Sequence, residues 1–290
     1  MLSEQLINSL NNSLNQTLDI QNIAPVAGGD IHQVWLLTTA QTQWFLKVNR
    51  VSSAPVFAAE ALALERIQQS KTIHCPSVIA QGETDQQAWL LMDYLQLTHR
   101  GDDFKRGQAL AAIHRTTHRE FGWEQDNFIG HTPQRNAWQQ DWLDFYRQQR
   151  LEPQLALTLQ KGASRRLLAK GQQLTENLAV FFEHYKPVPS LLHGDLWAGN
   201  SAFTVQGEPV IYDPASYYGD RETDIAMTEL FGGFSPAFYQ GYNQAWPLDA
   251  GYQQRKPLYN LYHVLNHFNL FGGHYQHQAE QLIDDLLSQL

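Results

Sequence analysis

Cysteine is almost absent from this chain: Cys75 stands alone among 290 residues. A single thiol excludes an intrachain disulfide and any zinc site built on clustered cysteines, and a reducing, cytoplasmic setting fits it best. Long apolar runs are missing too. No stretch approaches the roughly 18 to 20 consecutive apolar residues of a membrane helix, so no membrane partner is expected. Positive charge is scarce, with 20 Lys and Arg against 29 Asp and Glu and a formal net charge of −9. No chain-wide cationic footprint for nucleic acid results, and the pair Arg165-Arg166 reads as a solvated helix face. The first ten residues carry Glu4 and no basic cluster before an apolar run, so they do not read as a secretory signal. Leu2, Leu6 and Leu10, with Ile7, form a helix-period stripe instead. Internal repeats and low-complexity segments are also lacking. What is present is apolar and aromatic: 43% hydrophobic residues and eight Trp, enough for one large domain or two modest ones.

The chain is organised around L-L-H-G-D-L-W-A-G-N, Leu191 to Asn200. The spacing H-x-D-L-x-x-x-N matches a protein-kinase catalytic loop, in which the Asp receives a hydroxyl proton and the Asn holds magnesium. Those residues are Asp195 and Asn200. Thirteen positions after Asn200, I-Y-D-P places Asp213 behind apolar residues, as in the D-F-G element, and makes it the second metal ligand. One or two carboxylates with substrate phosphates and waters suffice for Mg2+. Asp and Asn also favour turns, but two such matches at this separation point to phosphoryl transfer from ATP.

Upstream, Asn22 to Ala27 and Gln33 to Thr39 read as strands joined through Gly28-Gly29-Asp30, a hairpin whose glycines let backbone approach phosphates closely. Gln43 to Val48 alternates so that Trp44, Leu46 and Val48 face one way and Phe45 and Lys47 the other. Lys47 is the candidate for the α- and β-phosphates. Glu60, near the start of the helix Val56 to Gln69, is its favoured counter-ion over Glu65. Pro76 to Gln81 and Ala88 to Met92 form a further strand pair. The β-rich sequence then gives way to helical sequence at Met92, Asp93, Tyr94 and Leu95, a hinge whose backbone suits an adenine ring.

Beyond the hinge, Asp102 or Asp103 caps a helix from about Phe104 to Arg119, where His114 reads as a core histidine. The turn-rich loop Phe121 to Asn136 is long enough to be functional. Trp138, Trp142, Phe145 and Tyr146 make a core-facing stripe, and helical sequence resumes from Ala163 to His184. Asp224 either caps an apolar helix or accepts hydrogen bonds from the catalytic loop, roles that do not exclude each other. His193 reads as scaffold. Tyr259 to Tyr275 spaces His263, His267 and His274 as a helix would. A metal site, a polar wall of a substrate pocket and a plain packed helix are the three readings, with His263 and His267 the substrate candidates and Trp197 the best candidate for a substrate-facing ring.

These residues give an α+β, protein-kinase-like two-lobe expectation: a small β-rich lobe over residues 1–94, a larger, mainly helical lobe over 95–290, and ATP in the cleft. The motifs F-G-W-E-Q-D-N-F-I-G (Phe121 to Gly130) with Gln134 and Asn136, L-L-H-G-D-L-W-A-G-N, and Y-D-P-A-S-Y-Y-G-D-R-E-T-D-I-A-M (Tyr212 to Met227) resemble the fructosamine-3-kinase (ketosamine-3-kinase) family across nearly the whole chain. That resemblance implies an ATP- and Mg2+-dependent kinase acting on the third-carbon hydroxyl of a ketosamine, a small molecule or a protein-bound adduct, as a step in deglycation. Some members carry a cysteine in the glycine loop where Asp30 stands here, which removes thiol control of that loop. Rival readings are a kinase of another hydroxylated metabolite, such as an aminoglycoside or choline, and a nucleotide-binding scaffold without transfer activity.

Overall fold

The leucine stripe at the start of the chain forms helix α1 (Glu4–Leu14), opened by Ser3, whose hydroxyl accepts from the Leu6 N–H. Leu6 and Leu10 pack on Leu37, Leu46, Val48, Trp89 and Leu91, one face of a five-stranded antiparallel sheet. Its strands are β1 (Ile20–Pro25), β2 (Gln33–Thr39), β3 (Gln43–Arg50), β4 (Val78–Glu83) and β5 (Gln87–Asp93), in the order β1-β2-β3-β5-β4. The computed structural model describes residues 2–26 and 32–290; Gly28, Gly29 and Asp30 lie outside the described residues. In β3 the expected alternation holds. Leu46 and Val48 join the α1 face, and Lys47, paired in register with Val34 and Leu90, turns to the other face. Helix α2 (Ala54–Ser70) buries Ala59, Glu60, Ala61, Ala63 and Leu64.

Cα proximity divides the chain into two compact units: Met1–Gly101 with Ala202–Asp213, and Asp102–Ser201 with Pro214–Leu290. The returning segment joins the first unit through a strand, Ser201–Thr204, whose Phe203 and Thr204 pair with Thr98 and Leu97. A following strand, Pro209–Ile211, is tied down where the Ile211 N–H donates to the His74 carbonyl. This return delivers Asp213 into the first unit.

The second unit is mainly helical. Helix α3 (Asp103–His114) is capped by Asp102 and stops before the expected end at Arg119, because the Thr116 carbonyl accepts from Leu191 and draws the chain into extended pairing at Thr117 and Ser190. A glycine contact sets α3 against the helix Pro236–Ala245: a Cβ on Gly107 would fall 2.0 Å from the Phe238 carbonyl oxygen. The expected stripe from Trp138 begins instead at Trp142, where Asp141 caps a new helix; Trp138 packs outside it, its ring 4.3 Å from His118. That helical run contains one π-helical stretch, Tyr146–Leu151, before continuing over Glu152–Gln160. The helix expected over residues 163–184 is shorter, Arg165–Glu176, followed by a 3-10 turn, Leu178–Phe182. Among the described residues no helix is long and apolar enough to cross a membrane.

Candidate active site

In the first unit, Lys47 is a buried ammonium held by two carboxylates. Its Nζ lies 2.6 Å from Glu60 Oε1 and 2.5 Å from Asp213 Oδ1. The Lys47 side chain is 6% exposed, while that of Asp213 is 49% exposed. Burial alone would lower the lysine pKa, but the charges of Asp213 and Glu60 outweigh it and hold the ammonium well above its ordinary value. Glu60 is raised, first by burial and further by Asp213, although Lys47 pulls the other way. Asp213 has a left-handed backbone, φ 57°, a conformation that costs a non-glycine residue energy and recurs at functional sites.

The four residues read as a hinge all lie inside the first unit, and Met92 is buried in β5. The Asp93 N–H donates to Ser77 O at 3.0 Å, the Asp93 carboxylate accepts from the Ser77 N–H at 2.6 Å, and the Tyr94 N–H reaches Gln43 O. These bonds tie Asp93 and Tyr94 to the sheet. Leu95 follows directly.

In the second unit, the loop after the short strand Ser190–Leu191 carries Asp195. Asp224 anchors it: Oδ2 accepts from His193 N at 2.7 Å and Oδ1 from Gly194 N at 2.9 Å. Of the two roles open to Asp224, this is the one the structure displays; it sits inside the first turn of the helix Glu222–Leu230 rather than at its cap. Burial would raise the Asp224 pKa, but the hydrogen bond and charge of His114, the charge of His193 and the Gly194 N–H bring it below its ordinary value. Gly194 has φ 84°, and a Cβ there would fall 2.1 Å from the Ala215 carbonyl oxygen, so no other residue fits. The Asp195 N–H meets His193 Nδ1 at 3.2 Å, and the Asp195 carbonyl accepts from Asn200 Nδ2 at 2.9 Å. With its amide nitrogen so committed, Asn200 has its Oδ1 as the atom able to meet a cation. Trp197, two positions on, is 42% exposed.

His263 and His267 occupy different environments. His263 is 1% exposed and pushed down to about 3 by burial and then by His267, so it is neutral at pH 7. Among the described residues neither of its ring nitrogens has a hydrogen-bond partner. His267 is only partly buried; its Nδ1 lies 2.8 Å from the His263 carbonyl, and Phe231, Phe271 and Tyr275 surround its ring.

Two structural features around the candidate site escaped the sequence. His114, read as a core histidine, bridges Tyr242 OH at 2.8 Å and Asp224 Oδ2 at 3.1 Å, and so braces the anchor of the Asp195 loop. No local pattern signals this, because the partners are more than a hundred residues away. The second is a buried amide lattice in the long loop. Asn127 Nδ2 donates to Ser216 O at 2.7 Å, Gln134 Nε2 donates to Ala215 O at 3.1 Å, and Arg150 Nη2 donates to Asn136 Oδ1 at 2.7 Å. Density of Asn and Gln in a loop rich in aromatics was the available signal.

A β-rich unit with a Lys–Glu pair on its sheet and second helix, and a helical unit with an H-G-D-L loop ending in Asn, define the protein-kinase-like fold class. The fructosamine kinase family model matches residues 2–289. A Synechocystis protein named "probable ketoamine kinase" is 43% identical over 287 residues, 98% of this chain and 96% of its own. The chloroplastic protein-ribulosamine 3-kinase of Arabidopsis thaliana is 40% identical over 275 residues, 93% of this chain and 84% of its own. Among solved structures, a Haemophilus somnus protein named for fructosamine-3-kinase shares 28% identity with a TM-score of 0.88, over 98% of this chain and 97% of that one. Aminoglycoside phosphotransferase APH(4)-Ia in complex with ADP and hygromycin B has the same fold, at 15% identity and a TM-score of 0.66 over 99% of each chain. The chain belongs to the fructosamine kinase family and is an ATP-dependent kinase.

Proposed function

We propose that this kinase transfers the γ-phosphoryl group of ATP to the third-carbon hydroxyl of a ketosamine, the adduct left when a sugar has reacted with an amine. The observation that carries this reading is identity of 40% or more, over more than nine-tenths of the chain, to proteins named for ketoamine and ribulosamine kinases. Phosphorylation labilises the adduct. An enamine at the first two carbons expels the allylic phosphate, which leaves with the C–O electron pair, and water then hydrolyses the resulting imine and frees the amine.

Each residue has a role in this scheme. Asp195, held by its own backbone, accepts and orients the hydroxyl proton. Lys47, braced by Glu60, positions the α- and β-phosphates, Gly28 and Gly29, outside the described residues, are proposed as their further contacts, and the backbone of Met92 to Leu95 receives the adenine. Asn200 and Asp213 are the residues that would hold Mg2+: a carboxamide and a carboxylate are the oxygen donors that ion takes, and the Asp213 side chain stays 49% exposed even while it binds Lys47. Bound magnesium would neutralise phosphate charge. Trp197 offers an exposed ring beside Asp195 on which the acceptor can rest, with His263 and His267 proposed for the acceptor pocket. Catalysis of this kind is positioning and charge neutralisation.

The test is ADP release with ATP and Mg2+ against a ribulosamine, a fructosamine, an aminoglycoside and choline, with Asp195→Asn as control. Turnover of a ketosamine, lost in the variant, upholds the reading; turnover of the aminoglycoside or choline alone overturns it.

A further inference from the structure

A cavity of about 460 Å³ lies wholly within the second unit, between the hairpin strand Thr132–Gln134, the helical run around Arg150 and the Tyr262 ring. We propose that this cavity binds the carboxylate end of an amino acid or short peptide. Arg150 supplies the first reason. It lines the cavity, it is fully buried, and among the described residues no carboxylate lies within ion-pair distance of it. Its Nη1 donates to the carbonyls of Arg135 at 2.6 Å and Gln149 at 2.9 Å, its Nη2 to Asn136, and its guanidinium lies 3.9 Å from the Tyr217 ring centre. Its Nε has no hydrogen-bond partner. Of the other buried arginines in this unit, Arg255 is answered by Glu222 and Asp249 and Arg106 by Asp103, while Arg221 donates to Tyr242 OH and to the carbonyls of Trp246 and Pro247 and does not line this cavity. A buried cation without a counter-charge is costly, and an anion that reaches its unpartnered Nε–H from the cavity would complete it through a charge-assisted hydrogen bond.

The lining gives the second reason. Arg135 adds another cation at the rim against one acid, Glu152, and the amides of Gln148, Gln149 and Gln160 line the same space. Neutral amides both donate and accept, which matches the N–H and C=O of a peptide rather than a second charge. The π-helical stretch Tyr146–Leu151 forms part of this wall, a distortion that recurs at functional sites. The back wall also touches the catalytic loop: Tyr262 OH donates to Gln134 Oε1 at 2.6 Å, Gln134 Nε2 donates to Ala215 O, and the Ala215 N–H donates to His193 O at 2.8 Å. The peptide is either the amine-bearing part of the acceptor or a free peptide acting on that loop.

The test is calorimetric titration of the full chain with N-acetyl-alanyl-alanine and with its C-terminal amide. The acid is expected to bind and the amide to bind at least about tenfold more weakly, the worth of a charge-assisted contact. Ala156 is exposed at the cavity. Ala156→Trp should abolish binding without moving the thermal midpoint, a safer variant than Arg150→Met, which also loosens a buried network. No heat from either peptide at about 10 mM, a concentration that detects even weak association, would overturn the proposal. So would equal affinity for acid and amide, or binding that Ala156→Trp leaves intact. The source is then read from kinetics, an arm that rests on the ketosamine reading. If Ala156→Trp raises KM for a ketosamine carried on a lysine peptide relative to one on a small amine, the acceptor supplies the carboxylate; an unchanged ratio, with binding to the wild type established, assigns the site to a free peptide. The calorimetry stands whether or not a ketosamine is phosphorylated.

Discussion

In the first unit a cation, Lys47, is fixed by two carboxylates, Glu60 and Asp213, whereas in the second a carboxylate, Asp195, is fixed by the backbone of its own loop, which Asp224 grips through two N–H groups. The two means of positioning respond differently to change. A charge clamp is a balance among side chains, so removing one charge leaves the others buried and mismatched, and removing a second can restore the balance. A backbone grip holds the loop through main-chain N–H groups rather than through the charge of the functional side chain. That side chain can be altered without moving the loop, but the anchor beneath it has no substitute.

Asp195→Asn should give the largest loss of activity with the least loss of stability. Steady-state kinetics should find kcat reduced by about a thousandfold, within the range for a lost general base. Calorimetry should find the midpoint within about 2 °C of the parent. A large fall in stability would break the comparison, because it would mean the carboxylate itself holds the loop.

Asp224→Ala is the converse. It strands the His193 and Gly194 N–H groups and leaves His114 without its acceptor, a loss of about 3 to 5 kcal/mol for a buried charge-assisted network. Denaturant titration measures this directly, and kcat should fall while the KM for ATP moves little. The folded pKa of Asp224 lies below its usual 3.8, so its contribution is complete above that value and is lost only as pH falls through the lower one. The grip on the catalytic loop is therefore constant across neutral pH.

Lys47→Met should raise the KM for ATP by about tenfold, the worth of one charge-assisted contact, and should also destabilise the first unit, since Glu60 is left buried beside Asp213. The double variant Lys47→Met/Glu60→Gln should recover most of the stability and none of the activity. A double-mutant cycle measures the coupling, and simple additivity would refute the clamp. Lys47 has a raised folded pKa, so its stabilising share is full below 10.5 and is lost only as pH rises through the folded value.

The smallest effect belongs to a third buried cluster in which Glu222 pairs with Arg255 while facing Asp220. Burial and the charge of Asp220 push Glu222 up to about 7. A raised folded pKa favours the folded state below the ordinary value of 4.5, an advantage that fades as pH rises from there through 7. The thermal midpoint should decline by a few degrees over that interval, and Glu222→Gln should flatten the decline. An equal slope in the variant would assign it to another group.

The candidate site was largely legible where chemistry sits in short motifs. The Lys47–Glu60 pair followed from strand alternation and helix position, and Asp195, Asn200 and Asp213 are proposed from spacing. Three features were not legible, each for a physical reason. Residues 202–213 join the first unit although the whole of the second unit also lies beyond Leu95, because pairing with Leu97 and Thr98 is a long-range event. His114 acquires its role from partners on other helices. Trp138 has the helical spacing of the stripe, yet Asp141 starts the helix after it, so a cap outweighed periodicity.

The most direct test of the central claim is NMR of the product formed from ATP and a fructosamine, with phosphorus correlated to carbon-bound protons. A phosphate coupled to the proton on the third carbon, followed by release of the free amine and absent with Asp195→Asn, is the expected result. Phosphate on any other carbon, or no phosphorylated ketosamine while another alcohol is turned over, would contradict it.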